Sequence, residues 1–274
     1  MVELLPILAN FMLFFCPSKN EFIQLYLADL TSMLMSGETK VEIASLGRCI
    51  FLSSFNNANK VLACMINLCH QSETISTRDK DQIIQHITIR DFYELTERHN
   101  TVPHITQQIL ALFRNLVDDN PVLVESKGDE LLKVLKFWLN QQLVESGSDK
   151  RLLCGIGAVL RNISAIPDGV SKLFSSDELI KLIVALFQHP DLMARTQASY
   201  IIANLLRHND ESFIHRQKVL RAAGLLTAIH KSAVESVRPV NTSKLVRSRP
   251  VLPRLLKQIQ SENVEHILKR LGEI

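Results

Sequence analysis

Asn67-Leu68, Asn115-Leu116, Asn162-Ile163 and Asn204-Leu205 each close a short apolar run, and successive copies stand 48, 47 and 42 residues apart. Asn10, after Ile7, Leu8 and Ala9, is a candidate fifth copy 57 residues before Asn67. A period of this size fixes much of what the chain can become. Each unit is too short to bury its own apolar stripe, so neighbouring units must stack and share one continuous core.

The residues between the Asn segments say what a unit contains. After the turn residues Asp118, Asp119 and Asn120, the stretch 121–126 predicts a short helix. Residues 130–143 predict a longer one, with Leu131, Leu132, Val134, Leu135, Trp138 and Leu139 on one face. Ser146, Gly147, Ser148 and Asp149 break it, and 150–165 forms the next Asn helix. The following unit repeats this order. Pro167, Asp168 and Gly169 are read as a turn, 170–174 as a short helix, and Ser175, Ser176 and Asp177 as the cap of 178–187. His189 and Pro190 end that helix, and 193–207 carries Asn204. Short helix, longer helix, Asn helix is the three-helix grammar of an armadillo repeat. The expected fold is an all-α, armadillo-like α-solenoid, a superhelical stack of three-helix repeats in one domain over residues 1–274. The repeats are clearest over about 50–235. Residues 236–274 are expected to be an irregular loop plus a capping helix at 253–271, and 72–81 a polar inter-helix loop.

Composition sets the function classes aside from this fold. Apolar residues are 46% of the chain, charged residues 22%, and Gly and Pro nine each, a globular and helix-tilted profile. The net charge of +3 does not call for nucleic acid. Positive residues gather at Arg238, Lys244, Arg247, Arg249, Arg254 and Lys257, either as a solvated face or as a basic docking patch. Cys16, Cys49, Cys64, Cys69 and Cys154 are odd in number and form no CxxC pair, so no zinc site is expected and a reducing compartment is. The protein is expected to be intracellular, cytoplasmic or nuclear. Residues 2–15 are apolar but carry Glu3, Pro6 and Asn10, too short a run to span a bilayer and unlike a signal peptide. They predict a buried first helix. No GxSxG, HExxH, P-loop or GxGxxG motif occurs, and the nine His are dispersed. Cys154-Gly-Ile-Gly sits in a helical run and reads as close helix packing. An enzyme, a metal and a cofactor are therefore not expected.

The expected site is the concave face lined by the third helices. Asn67, Asn115, Asn162 and Asn204 would form a ladder there, each amide offering a donor and an acceptor to the backbone of an extended peptide. The same Asn could instead bond a neighbouring helix and stitch repeats together; both roles fit the pattern. Arg114 and Arg161 project about 100° round the helix from the Asn that follows them. They either favour an acidic partner or form solvated repeat edges. Importin-like grooves pair each ladder Asn with a Trp one turn away, but the single Trp138 lies off the Asn helices.

Four segments in order resemble the Zyg-eleven/Zer-one family. Ala111-Leu-Phe-Arg-Asn-Leu-Val-Asp-Asp-Asn-Pro121 is similar to its Trp-Asn-Leu-Thr-Asp-Glu-Ser-Pro, and Leu160-Arg-Asn-Ile-Ser-Ala-Ile166 to its Leu-Asn-Asn-Ile-Ala-Glu-Val. Ser199-Tyr-Ile-Ile-Ala-Asn-Leu205 and Arg247-Ser-Arg-Pro-Val-Leu-Pro-Arg-Leu-Leu256 match two later segments. The resemblance covers about residues 100–260. It implies an armadillo-like domain of a substrate receptor for a cullin-two RING ubiquitin ligase, whose groove takes proteins with an exposed N-terminal glycine. By position, the family's groove Trp falls on Arg114, its Asp on Asp118, its Asn on Asn162 and its Glu on Ala165. Arg114 and Ala165 thus depart from the pattern, and an ammonium would lose one carboxylate partner. No leucine-rich repeats or elongin/cullin box precede the domain, so the chain reads as a shortened relative or a fragment. Implied partners are a protein or peptide in the groove and elongin/cullin-two components; the other expectation is a scaffold or adaptor without them. No nucleic acid or membrane is expected.

Overall fold

A computed structural model describes Leu62, Ile66 and residues 88–98, 103–144, 149–207, 209–237 and 251–273, with the backbone alone of 232–237 and 251–256. The helix expected at 2–15, Asn10, Asn67, the cysteines other than Cys154, the loop at 72–81 and residues 238–250 lie outside the described residues. Helices and short connections make up the described residues, with no strand among them. The chain divides into two compact units, Met1–Leu123 and Val124–Ile274.

In the first unit, α1 (Ile89–Arg98) packs on α2 (Pro103–Val117). Thr88 and Asp91 start α1 reciprocally. The Thr88 backbone N–H donates to Asp91 Oδ2 at 2.8 Å, and the Asp91 N–H donates to Thr88 Oγ1 at 3.2 Å. Between the helices Phe92 and Phe113 meet edge to face, ring centroids 5.3 Å apart at 83°. Asp118, Asp119 and Asn120 turn the chain as expected. Asp119 takes φ 50°, and the buried Asn120 accepts from the Leu123 N–H at 3.1 Å. Pro121, whose missing N–H costs nothing at a first helical position, then opens α3 (Pro121–Val144).

Two helices were expected over 121–143, and the structure has one. Gly128 does not break it, because a mid-helix glycine costs only about 1 kcal/mol. The missing side chain has a use there. A Cβ on Gly128 would lie 2.8 Å from Lys172 Cδ, the chain that reaches Asp129 in an ion pair.

The second unit continues with α4 (Lys150–Ser164), α5 (Pro167–Phe174), α6 (Asp177–Phe187), α7 (Leu192–Leu205), α8 (Phe213–Ala222), α9 (Leu225–Val237) and α10 (Val251–Leu271). Side-chain caps fix three of the starts. Asp149 accepts from the Arg151 N–H at 2.7 Å and Ser176 from Leu179 at 3.4 Å; Asp191 accepts from Met193 at 2.9 Å and Ala194 at 3.2 Å. Pro167, Asp168 and Gly169 correct the turn read there: they are the first turn of α5, with Pro167 at its start. Gly169 is needed for clearance, since a Cβ would stand 2.0 Å from the Ile163 carbonyl oxygen.

Two layers form. In one, α7 lies between α4 and α10; in the other, α6 packs behind α7 and also meets α8 and α9, while α5 joins α4 to α6. Ile156, Leu160 and Ile163 of α4, Ile183 and Phe187 of α6, and Ala198, Ile201 and Leu205 of α7 are fully buried between them. Gly157 brings α4 and α7 close: its Cβ would meet Gln197 Cβ at 2.7 Å. The helix expected as a cap, α10, lies beside α7.

Candidate functional site

Two of the ladder asparagines have the same internal role. Asn115 is 7% exposed and its Nδ2 donates to the carbonyl oxygen of Ile66, 49 residues earlier, at 3.1 Å. Asn204 is 6% exposed and its Nδ2 donates to Ser164 Oγ at 3.0 Å and to the Arg161 carbonyl at 3.4 Å, 40 and 43 residues earlier. In each case the amide nitrogen ties a third helix to the helix one period before it. The Arg161 carbonyl lies in the last turn of α4, where it also accepts from the Ala165 N–H at 3.2 Å. Stitching of repeats thus occupies one end of these amides. Asn162, half-buried on α4, is also engaged, while Asn67 lies outside the described residues.

The other end of the two amides differs. Asn115 Oδ1 accepts from Arg114 Nε at 3.3 Å and Nη2 at 3.2 Å, so this guanidinium folds back instead of projecting away from its Asn. Asn204 Oδ1 accepts no hydrogen bond among the described residues. Arg161 does something else again: its guanidinium lies 5.3 Å from the centroid of the Tyr200 ring on α7. The two Arg-Asn pairs are alike in sequence and unlike in structure: Arg114 bonds its own Asn115, while Arg161 covers a ring on α7.

Tyr200 is the residue that sequence reading missed. It stands four residues before Asn204 and so one turn away on the same face of α7, where a Trp was sought. Its half-exposed ring, the Arg161 guanidinium and the Asn204 amide form one polar-aromatic patch across α4 and α7.

The patch continues onto α10. Asn263 Nδ2 donates to Ser199 Oγ at 3.0 Å, and Arg270 Nε donates to the Leu206 carbonyl at 2.7 Å, each across 64 residues. Arg270 Nη2 also donates to the Arg207 carbonyl at 3.3 Å. Arg270 thus does for the end of α7 what Asn204 does for the end of α4. An arginine in that rung, at a longer spacing, explains why a search for Asn did not find it. The Arg270 guanidinium also covers the Phe213 ring at 4.3 Å.

The remaining residues of the sequence reading are placed as follows. Asp118 is exposed after the last turn of α2, and Ala165 is the exposed C-cap of α4. Asp118 and Arg114 belong to the first compact unit, Arg161, Asn162, Ala165 and Asn204 to the second. Burial, then the carboxylates of Asp191 and Asp149, push the Cys154 thiol up to about 11, which favours its protonated form at neutral pH. Among the described residues no cluster of three or more His, Cys, Asp or Glu could hold a metal, and no helix is long and apolar enough to cross a membrane.

Comparison with known proteins follows the same lines. No family model matches the chain. It is 22% identical over 230 residues to Armadillo repeat-containing protein 8 of Xenopus laevis, and 22% identical over 228 residues to that of Danio rerio. Both alignments take in 82% of the chain, which spans only 28% and 30% of the length of these relatives. Among solved structures, the designed armadillo repeat protein YIII(Dq)4CqI is similar at a TM-score of 0.64 and 15% identity, over 95% of this chain and 98% of the other. A designed armadillo repeat protein in complex with the peptide (KR)4 is similar at a TM-score of 0.65 and 12% identity, over 95% and 98%. With third helices tied to each other at the repeat period, these likenesses establish that the chain has the armadillo-repeat fold.

Proposed function

We propose that the chain is a non-catalytic protein-binding module whose α4–α7–α10 face holds an extended stretch of another polypeptide. The observation that carries this reading is the pair Tyr200 and Asn204. One presents a ring and the other an amide oxygen with no partner among the described residues, one turn apart on the central helix of that face. An amide oxygen accepts from a peptide N–H whatever the peptide's side chains, and a neighbouring ring adds apolar contact. The fold shared with a designed protein that carries a bound peptide supports the same reading. Selection of displayed random peptides on the purified chain tests it. Tyr200→Ala and Asn204→Ala are each expected to weaken the selected binders about ten-fold or more, the scale of losing one well-made contact. Binders that keep their affinity for both variants would place the ligand elsewhere.

A finer reading follows the Zyg-eleven/Zer-one resemblance, in which the module presents substrates to a cullin-two RING ubiquitin ligase. Co-purification of elongins and a cullin with the chain from cells supports it; a bound polypeptide without them supports a scaffold or adaptor. Within that reading, recognition of an N-terminal glycine is weakened or replaced, because Arg114 brings like charge and Ala165 no carboxylate to the positions the resemblance assigns. Micromolar binding of a glycine-starting peptide, abolished by Asp118→Ala, would overturn this.

A further inference from the structure

The C-terminal ends of α4, α7 and α10 bring together cations that form no ion pair among the described residues. Arg161 ends on the Tyr200 ring, and Arg270 ends on neutral acceptors, the carbonyls of Leu206 and Arg207 and the side chain of Asn209. Arg207 and Lys269 are exposed. Two nearby carboxylates are already committed: Asp210 is held by Arg216 at 2.7 Å and Glu273 by Arg221 at 2.6 Å. His266, exposed on α10, registers the resulting field. Its imidazole is pushed below its ordinary value by burial and then by the charges of Arg270, Arg207 and Lys269.

We propose that this end of the face binds an acidic peptide segment, with Arg161, Arg207, Lys269 and Arg270 meeting its carboxylates beside Tyr200 and Asn204. The inference rests on the peptide-binding reading above and adds the charge of the ligand. Packed helices lie about 8–10 Å apart, so the three helices span roughly 20 Å. An extended peptide covers that distance with about six residues. The same segment would be the opposite in charge to the (KR)4 peptide carried by one designed protein of this fold. Part of the positive charge has a second use, since cations at helix C-termini oppose the helix dipole and Arg270 caps the carbonyls that end α7. That use consumes hydrogen bonds of Arg270 alone and leaves Arg207 and Lys269 facing solvent.

Fluorescence anisotropy with the whole chain and the labelled peptides (DE)4, (KR)4 and (GS)4 tests the proposal. The expected result is that (DE)4 binds at least ten times more tightly than the other two and weakens as salt rises. The double variant Arg207→Gln/Lys269→Gln, at two exposed positions, should lose about ten-fold in affinity with an unchanged melting temperature. Lys218→Gln, on the exposed side of α8, should change nothing. Binding of (DE)4 should also raise the His266 imidazole pKa seen by NMR, a shift that a purely structural role for the cations would not produce. Equal affinity for all three peptides, or no effect of the double variant, overturns the proposal. Tighter binding of a single-stranded uridine oligonucleotide than of (DE)4 overturns it in favour of a nucleic-acid ligand. If (DE)4 fails while display-selected peptides still depend on Tyr200 and Asn204, the acidic ligand is wrong and the peptide face stands. If no peptide binds at all, the peptide-binding reading itself fails.

Discussion

Replacing Gly169 by alanine is expected to destabilise the second unit by about 3 kcal/mol or more, the upper range for forcing atoms into a filled site. Two effects oppose each other at this position. Alanine in a helix is favoured over glycine by about 1 kcal/mol. Against that, the new Cβ would stand 2.0 Å from the Ile163 carbonyl oxygen and 2.9 Å from the Ile163 carbonyl carbon. Those are backbone atoms at the end of α4, so relief requires α5 to move as a whole. The clash wins. Unfolding followed by the fluorescence of the single, buried Trp138 should show a melting temperature lower by about 10 °C. Gly128→Ala is the matched control. Its Cβ meets the flexible Lys172 chain, which can yield, so its stability should stay within about 1 kcal/mol of the parent. Equal effects of the two substitutions would contradict the packing described for α4 and α5.

Phe113→Ala is expected to cost about 3–5 kcal/mol in the first unit. The ring is 1% exposed, and its edge-to-face partner Phe92 is fully buried. Truncation removes the buried area, opens a cavity and gives up a pair worth about 0.5–1.5 kcal/mol beyond area. Phe113→Leu keeps most of the volume and should cost less than half as much. Urea unfolding followed by circular dichroism reads the difference as a lower midpoint at an unchanged slope. A Phe113→Ala protein with the parent midpoint would mean that α1 and α2 do not form the core seen here.

Much of this fold is legible in the residues because the signals are local. Ser176 reads as a helix cap and accepts the Leu179 N–H in the structure; Asp149 and Asn120, read as a break and a turn, also accept backbone N–H groups that open the next helices. Glycine misleads where its role is long-range. Gly169 reads as a turn residue, yet it sits inside α5 and makes room for the Ile163 carbonyl just before it; Gly128, inside α3, makes room for Lys172 far away in sequence. Proline is ambiguous in the same way: Pro167 reads as a turn residue and is the first residue of a helix.

The candidate site divides along the same line. The spacing of Asn115 and Asn204 reveals the third helices, because a buried amide that bonds the preceding repeat must recur at the repeat period. What surrounds each Asn is decided across helices and has no local signature. Arg114 and Arg161 precede their Asn identically, but the ring that Arg161 covers comes from Tyr200, 39 residues later. Arg270 fills the last rung with a different residue type at a different spacing, so neither composition nor period pointed to it.

Photocrosslinking from single positions tests the central claim, that the face built by α4, α7 and α10 holds a polypeptide. A benzophenone amino acid is placed at position 266, exposed on α10, and in a second protein at position 181, exposed on α6 in the other layer. Each protein is irradiated with the peptides recovered by display selection on the parent chain, whatever their charge. The expected result is a peptide adduct from position 266 and none from position 181. An adduct from position 181 alone would place the ligand on the opposite layer and contradict the account.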